Sequence, residues 1–394
     1  MEAKPPIELI EHGAWKIVDL APWEFDALKE TNFVNVKAPV QGRCRITPGG
    51  KVGSVRVGSV QIDVRPKITE LRRLLFFIGY CSNPKIWREE VVHLDKADGL
   101  FPAVSESFVR LAARALEGGL LQGYRTKKES LQVVRGRIDF TEQITRRHGL
   151  PLPVAVEYDD FTTDIAENQI VLAAATALSA LPQVGPDARH KLSRIRYQMD
   201  DVALPQRNVT RPVWRPTRLN VRYHDVLRLS EVILDNCSFD QRSGSLAVTG
   251  FMFDMWKIYE DFVTSALSMA MRRYGGRAVT QGRIWMDMAK TILLKPDLIW
   301  YDTSDRPVAV VDAKYKVERP KGFPEADIYQ MLAYCSTLGL EEGHLIYAKG
   351  NGPVKTHELV NSGITIHCRA LDLGAPPTEL LHEIDDIARA ILHR

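Results

Sequence analysis

Asp297, Asp312 and Lys314 have the residue types and spacing with the most chemical content in this chain. They lie in Lys295-Pro296-Asp297-Leu298-Ile299-Trp300 and Val308-Ala309-Val310-Val311-Asp312-Ala313-Lys314-Tyr315-Lys316. Two apolar runs of strand length flank Tyr301-Asp302-Thr303-Ser304-Asp305-Arg306-Pro307, which has a hairpin-loop composition. Folding the pair about Ser304–Asp305 sets Asp297 nearly opposite Asp312. Lys314 is two residues beyond Asp312 and shares its strand face. Two carboxylates and one ammonium then surround a single point. A hard divalent cation such as Mg²⁺ takes carboxylate oxygens and keeps several waters. A nearby lysine can position, or help deprotonate, a water that attacks phosphorus. Asp312 follows four apolar residues, so it should be partly buried, where an acid ordinarily has a partner. Two facing acids repel unless protonated or bridged by a cation. The plainer alternative is a pair of ordinary strand-end carboxylates. Lys316, on the same face by parity, reads as a solvated or DNA-facing residue.

Other elements must hold these groups. The spacing predicts a helix over 255–272, with Met255, Tyr259, Phe262, Ala266 and Met269 as its apolar stripe and Glu260 at the border. Glu260 is either solvated there or a further acid of the site, with Asp261 competing for the role. A second helix is expected over 324–338. On it Gln330 and Tyr334 share a face. Gln330 either satisfies a backbone group or orders a water or phosphate near the metal, with Tyr334 as support or as core. Strands at 343–348 and 363–369 and a helix at 378–392 complete an α/β core.

Upstream, the region to about residue 95 reads as β-rich with one helix over 71–80. Val55, Val57, Val60, Ile62 and Val64 alternate around Gly58-Ser59, as in a hairpin. The following part reads as mostly helical: 105–121, a helix after the extended stretch Val133–Phe140, 166–181 with Asp164 as a possible cap, and 223–236. Residues 238–250 read as a connector. The expected division is therefore 1–245, a mixed β/α region, and 246–394, an α/β domain.

A chain of 394 residues can hold two or three domains, and a net charge of +3 does not by itself argue for nucleic acid. Five scattered cysteines without a CxxC pair speak against a zinc site or disulfide framework and for reduced thiols in the cytoplasm. The first residues do not read as a signal peptide, and no apolar run reaches membrane-spanning length. Neither GxxxxGK[ST] nor a GxGxxG after a strand is present, so any NTP-driven motor must be another chain. Arg207, Arg211, Arg215, Arg218 and Arg222, interleaved with Trp214 and Tyr223, could meet phosphates of nucleic acid or a nucleotide-bearing protein partner, or form a solvated face. The dispersed histidines suggest no hydrolase arrangement.

Pro296-Asp297 followed by Asp312-Ala313-Lys314 resembles the PD-(D/E)XK nuclease signature, and Gln330-Met331-Leu332-Ala333-Tyr334 is similar to that superfamily's QxxxY motif. Val134-Arg135-Gly136-Arg137-Ile138-Asp139, Glu157–Asn168 and Phe253–Val263 resemble elements of McrC-type proteins. The resemblance implies a restriction-endonuclease-like domain in which Asp297, Asp312 and Glu260 hold Mg²⁺, while Lys314, Gln330 and Tyr334 serve the reaction. It further implies cleavage of double-stranded, modified DNA in an anti-phage restriction system. The partner would be an McrB-like AAA+ GTPase ring, engaged and stimulated by the N-terminal region. Preference for GTP over ATP comes from the resemblance alone. A stand-alone repair nuclease and a non-catalytic activator of a ring NTPase are the rival readings.

Overall fold

A computed structural model describes residues 5–40, 43–67, 77, 100–147, 150–181, 184–205, 211–241, 247–317, 324–349 and 354–392. The chain divides into two compact units, residues 1–100 together with 238–394, and residues 101–237.

The first unit opens with β1 (Ile7–Ile10), β2 (Lys16–Val18), α1 (Pro22–Thr31), β3 (Val34–Val40), β4 (Arg43–Pro48), β5 (Lys51–Val57) and β6 (Val60–Arg65). The expected glycine-turned hairpin is β5–β6, closed at Val57↔Val60. Its alternating valines and Ile62 are buried with Leu28, Phe33 and Ile46 in one apolar cluster. Of the helix expected over 71–80 only Phe77 is described; it is buried against Phe262.

The second unit contains α2 (Leu100–Leu116), β7 (Gly123–Leu131), β8 (Arg137–Ile138), α3 (Phe140–Arg147), β9 (Val154–Thr162), α4 (Ala166–Ser179), α5 (Pro186–Gln198) and α6 (His224–Asn236). The strands β7 and β9 interrupt a part that reads as mostly helical, and the helix α5 fits that reading. β7 is mostly polar and shows no alternation of apolar with polar residues, so its strand character comes from pairing with β9 over its full length. The helix expected over 105–121 lies earlier, at 100–116, because Gly119 adopts φ +80° just beyond its end.

The second unit's motif residues hold it together. Gly136 has φ +72°, and a Cβ there would stand 2.5 Å from the Glu157 carbonyl, so only glycine lets β8 close onto β9. Arg135 and Arg137 pair with Asp160 and Glu157 at 3.0 and 2.9 Å. Asp139 Oδ1 accepts the Glu142 N–H at 3.0 Å, an N-cap on α3. Asp164 does not cap α4; its carboxylate accepts from Arg125, Gln169 and the Ala203 N–H instead. Asn168 is buried and ties the carbonyls of Leu121 and Thr163.

The chain then returns to the first unit through β10 (Cys237–Gln241) and β11 (Ala247–Asp254). Here the structure departs from the connector expected over 238–250. β11 pairs antiparallel with β5 from Val248↔Val57 to Asp254↔Lys51, giving the sheet order β1-β6-β5-β11-β10. A division at 245 would run through this sheet. The partner strand is far away in sequence, beyond the reach of local pattern.

Next come α7 (Met255–Met271), β12 (Arg277–Thr280), β13 (Ile284–Trp285), β14 (Leu293–Leu294), β15 (Leu298–Tyr301), β16 (Pro307–Val317), α8 (Glu325–Leu338), β17 (Glu342–Lys349), β18 (Lys355–Glu358), β19 (Thr365–Ala370) and α9 (Pro377–Leu392). Six strands form a mixed sheet in the order β12-β15-β16-β17-β19-β18. On one face Leu298, Trp300, Ala309, Val311 and Ala313 pack with α7 and α9. On the other, Val310, Leu345 and Tyr347 pack with Met331, Tyr334 and Cys335 of α8. The fold class is thus mixed α/β, with helices on both faces of the sheet.

Candidate active site

The period of two along β16 divides its residues between the sheet's faces. Val311 and Ala313 enter the α7/α9 core, which leaves Asp312 and Lys314 on the α8 face. β15 and β16 pair with Leu298 opposite Val311 and Ile299 opposite Val310. Continued by one step, this register sets Asp297 opposite Asp312. Both acids are buried, 6% and 2% exposed. Asp297 Oδ2 accepts the Ala313 N–H at 2.9 Å, a bond across the hairpin that fixes the carboxylate beside Asp312. Its Oδ1 accepts from Gln281 Nε2, also at 2.9 Å.

Lys314 Nζ forms a close ion pair with Asp312 Oδ2. It also donates to Gln330 Oε1 at 2.9 Å. Gln330 Nε2 in turn donates to the Tyr334 hydroxyl at 2.8 Å, and that hydroxyl donates to the Lys295 carbonyl at 3.3 Å. Gln330 is exposed and Tyr334 buried, so the core end of the chain of bonds anchors the solvent end. Helix α8 can come this close because Gly343 lies beneath it; a Cβ there would stand 2.6 Å from Met331 and Cys335 side-chain atoms.

Electrostatics follow from crowding acids in a dry place. Burial, then the charge of Asp297, pushes Asp312 up to about 6, although Lys314 opposes the shift. Burial also raises Asp297, against the Ala313 N–H and Lys314. Glu260 is half-buried on α7. Burial and the charges of Asp297 and Asp312 push it up to about 8. Asp261, its competitor, is exposed, and among the two site aspartates it registers only Asp297. Burial disfavours the charge on Lys314, but Asp312, Asp297 and Asp327 outweigh it and raise the ammonium's pKa.

The structure thus gathers Asp297, Asp312, Lys314, Gln330 and Tyr334 by direct bonds or facing register, and Glu260 by its field. Among the described residues, no group of three or more His, Cys, Asp or Glu side chains stands ready to hold a metal ion. The donor set still suits a hard cation: two buried, mutually repelling carboxylates whose raised pKa values mark negative charge left uncompensated.

Three contributors are absent from the sequence reading. Gln281 supports Asp297; Lys295 supplies a carbonyl to Tyr334; Asp327 is buried and bonded by the Tyr347 hydroxyl at 3.1 Å. Asp327, one turn before Gln330 on the same helix, carried a legible signal. Gln281 did not, because φ +51° in a turn brings it to the site.

The arginine series divides. Arg207 lies outside the described residues. Arg211 pairs with Asp235 at 2.7 Å, and Arg222 donates to the Gly119 carbonyl at 2.9 Å. Trp214 donates to Glu231 at 2.9 Å and Tyr223 is buried, so both aromatics anchor the loop. Arg215 and Arg218 are exposed.

Comparison with known proteins places this geometry. No curated protein matches the chain. A solved assembly described as a refined half-complex from the tetradecameric assembly of Thermococcus gammatolerans McrB AAA+ hexamers with bound McrC contains a chain of similar fold. The similarity has a TM-score of 0.63 at 16% identity, covering 98% of this chain and 100% of that one. A cryo-EM structure of the Thermococcus gammatolerans McrBC complex also matches, with TM-score 0.43 and 19% identity over 69% of this chain and 90% of that one. Residues 46–348, well over half of the chain, match the family described as McrBC 5-methylcytosine restriction system component. With the McrC motifs set on this fold, the chain belongs to that family.

Proposed function

We propose that this chain is the Mg²⁺-dependent endodeoxyribonuclease subunit of a modification-dependent restriction complex. The observation that carries the reading is the buried, facing pair Asp297 and Asp312 with Lys314 ion-paired beside them. Asp297 and Asp312 would hold the cation, with Glu260 joining as its proton leaves. A bound Mg²⁺ supplies Lewis-acid polarisation of a phosphodiester oxygen and neutralises developing charge. The chain's own residues do the rest. Lys314, steadied by Gln330, presents an ammonium to the attacking water and to the phosphoryl oxygens as they gain charge. Tyr334 keeps Gln330's amide turned so that its oxygen faces Lys314. Products with a 5′-phosphate and 3′-hydroxyl are expected.

The partner is an McrB-like AAA+ ring hydrolysing GTP, and the system acts against phage DNA in the cytoplasm. Ring engagement and stimulation belong to the region before residue 245. Within it, residues 101–237 present exposed apolar side chains at Tyr124, Phe140, Ile144, Leu150 and Phe161, which support a protein-binding role. The test is cleavage of methylated duplex DNA by the purified chain with Mg²⁺, with and without its ring NTPase. Asp297→Asn and Asp312→Asn should each abolish cleavage while leaving ring stimulation intact. Wild-type cleavage by pure Asp312→Asn protein would falsify the metal-site reading. Stimulation without any cleavage by the native chain would instead favour the activator reading, and cleavage independent of the ring the stand-alone nuclease.

A further inference from the structure

A second hairpin stands beside the site, and the reaction sketched above does not use it. β13 pairs with β14 at Ile284↔Leu294 and Trp285↔Leu293. Its tip is ordered by one side chain. Asp287 Oδ1 accepts the N–H groups of Thr291 and Ile292 at 2.9 and 2.8 Å, and Oδ2 accepts the Thr291 hydroxyl at 2.7 Å. The segment's single acid is thereby turned onto its own backbone. The outer surface carries exposed Trp285, Met286, Met288 and Ile292, with Met288 101% exposed, and exposed Arg283 and Lys290.

Both stems are fastened to the candidate catalytic residues. At one end Gln281 binds Asp297 through its side chain and, by its N–H, the Asp297 carbonyl at 3.0 Å. At the other, the Lys295 carbonyl holds the Tyr334 hydroxyl, and Leu294 packs into the α8 core. The hairpin is therefore an ordered projection whose base is attached to the carboxylates that would receive a phosphodiester.

We propose that residues 283–293 form a DNA-inserting wedge. Trp285, Met286 and Met288 enter a groove of the duplex next to the bond being cut, while Arg283 and Lys290 contact flanking phosphates. The choice of DNA rests on the nuclease reading and on charge. Two cations border the apolar tip and the only carboxylate is withdrawn, which suits a polyanion. Apolar wedges of this kind partly unstack a base step and kink the duplex. Flanking cations add a salt-dependent, sequence-independent share of affinity.

The test uses the full-length chain in EDTA, so that binding is read without cleavage. Anisotropy of a labelled duplex reports affinity, and 2-aminopurine placed at successive steps reports unstacking. Wild type should raise 2-aminopurine fluorescence at one or two adjacent steps. Trp285→Ala/Met288→Ala should lose that signal and bind roughly tenfold more weakly. Arg283→Ala/Lys290→Ala should lower the slope of log K against log salt by about 2. Met288→Ser, at a side chain with no packing to lose, separates insertion from misfolding. It should dim the fluorescence signal while melting as wild type does. Wild-type DNA binding and unstacking by the hairpin variants would overturn the wedge and leave the nuclease reading standing. So would variants that bind DNA normally but change from dimer to monomer in light scattering, which would mark the tip as a contact between copies of this chain. A native chain that neither binds duplex in EDTA nor cuts it with Mg²⁺ and the ring fails the nuclease reading itself, and the wedge with it.

Discussion

At the scale of single residues, the site is a stability cost accepted for a purpose. Asp312 and Asp297 are buried against each other, and only Lys314 among the described residues forms an ion pair with either. Such arrangements are costly when left uncompensated. The sign of the pH effect follows. Asp312 and Glu260 are pushed up to about 6 and about 8 in the folded chain, above their ordinary values. Folding therefore favours their protonated forms, and the stability present below about pH 4 is lost as pH rises, Asp312's share by about 6 and Glu260's by about 8. Without divalent cations, Tm should fall over that range. Added Mg²⁺ should raise Tm more at pH 8 than at pH 5, and Glu260→Gln should flatten the upper part of the fall. A Tm independent of pH and Mg²⁺ across this window would remove the uncompensated-charge account. Lys314 supports a separate expectation. Lys314→Ala should cut single-turnover cleavage sharply while calorimetric Mg²⁺ binding stays intact or tightens, since a neighbouring cation is gone. Lys314→Arg should not restore the rate, because a planar guanidinium places its donors differently and stays protonated. Normal cleavage by Lys314→Ala would take the lysine out of the mechanism.

At the scale of elements, β16 and α8 make one device. β16 carries Asp312 and Lys314 on the face that α8 covers, and α8 returns Gln330 and Tyr334 to that face. Their separation is set by β17, where Gly343 lies against Met331 and Cys335. Gly343→Val would push side-chain atoms into that contact and lift α8. Overpacking of this kind costs about 1–3 kcal/mol. The expected outcome is a lower denaturation midpoint together with slower cleavage, because Gln330 would move off Lys314. Loss of stability with an unchanged rate would show that α8 does not position the lysine. The QxxxY spacing announced this helix face, since residues four apart share it. The bond from Tyr334 to the Lys295 carbonyl was not legible, because it joins the helix to a segment whose path depends on the whole sheet.

At the scale of the molecule, the six-stranded α/β core and the N-terminal strands share one compact unit. β11 leads directly into α7, the helix of Glu260, and pairs along its length with β5. Glu11, buried near the end of β1, accepts a hydrogen bond from the Tyr315 hydroxyl at 3.1 Å, one residue beyond Lys314. A fragment starting at 246 would keep every candidate catalytic residue yet lose β5, β6, β1 and β10, leaving β11 with unpaired backbone groups and uncovered apolar side chains. It should therefore be insoluble or lack a cooperative melt. Replacing only 101–237 with a flexible linker should preserve a cooperative melt and the Mg²⁺-dependent stabilisation. A soluble, cooperatively melting 246–394 fragment would contradict this, and circular dichroism of both proteins decides it.

Local pattern alone determined the 297–314 hairpin and its facing acids, because a period of two and a polar turn specify which side chains share a face. It also determined the helices of Glu260 and of Gln330–Tyr334, whose apolar stripes are long enough to declare a period. The tertiary structure decided what had no local period. β7 became a strand by pairing with β9, and 238–254 became part of a sheet by pairing with β5. Gln281 reached Asp297 through a turn that sequence does not announce. The reason is common to the two strand cases. A strand's hydrogen bonds are made to another segment, so its identity is a property of the pair, whereas a helix closes its bonds within itself and shows its face in its own residues.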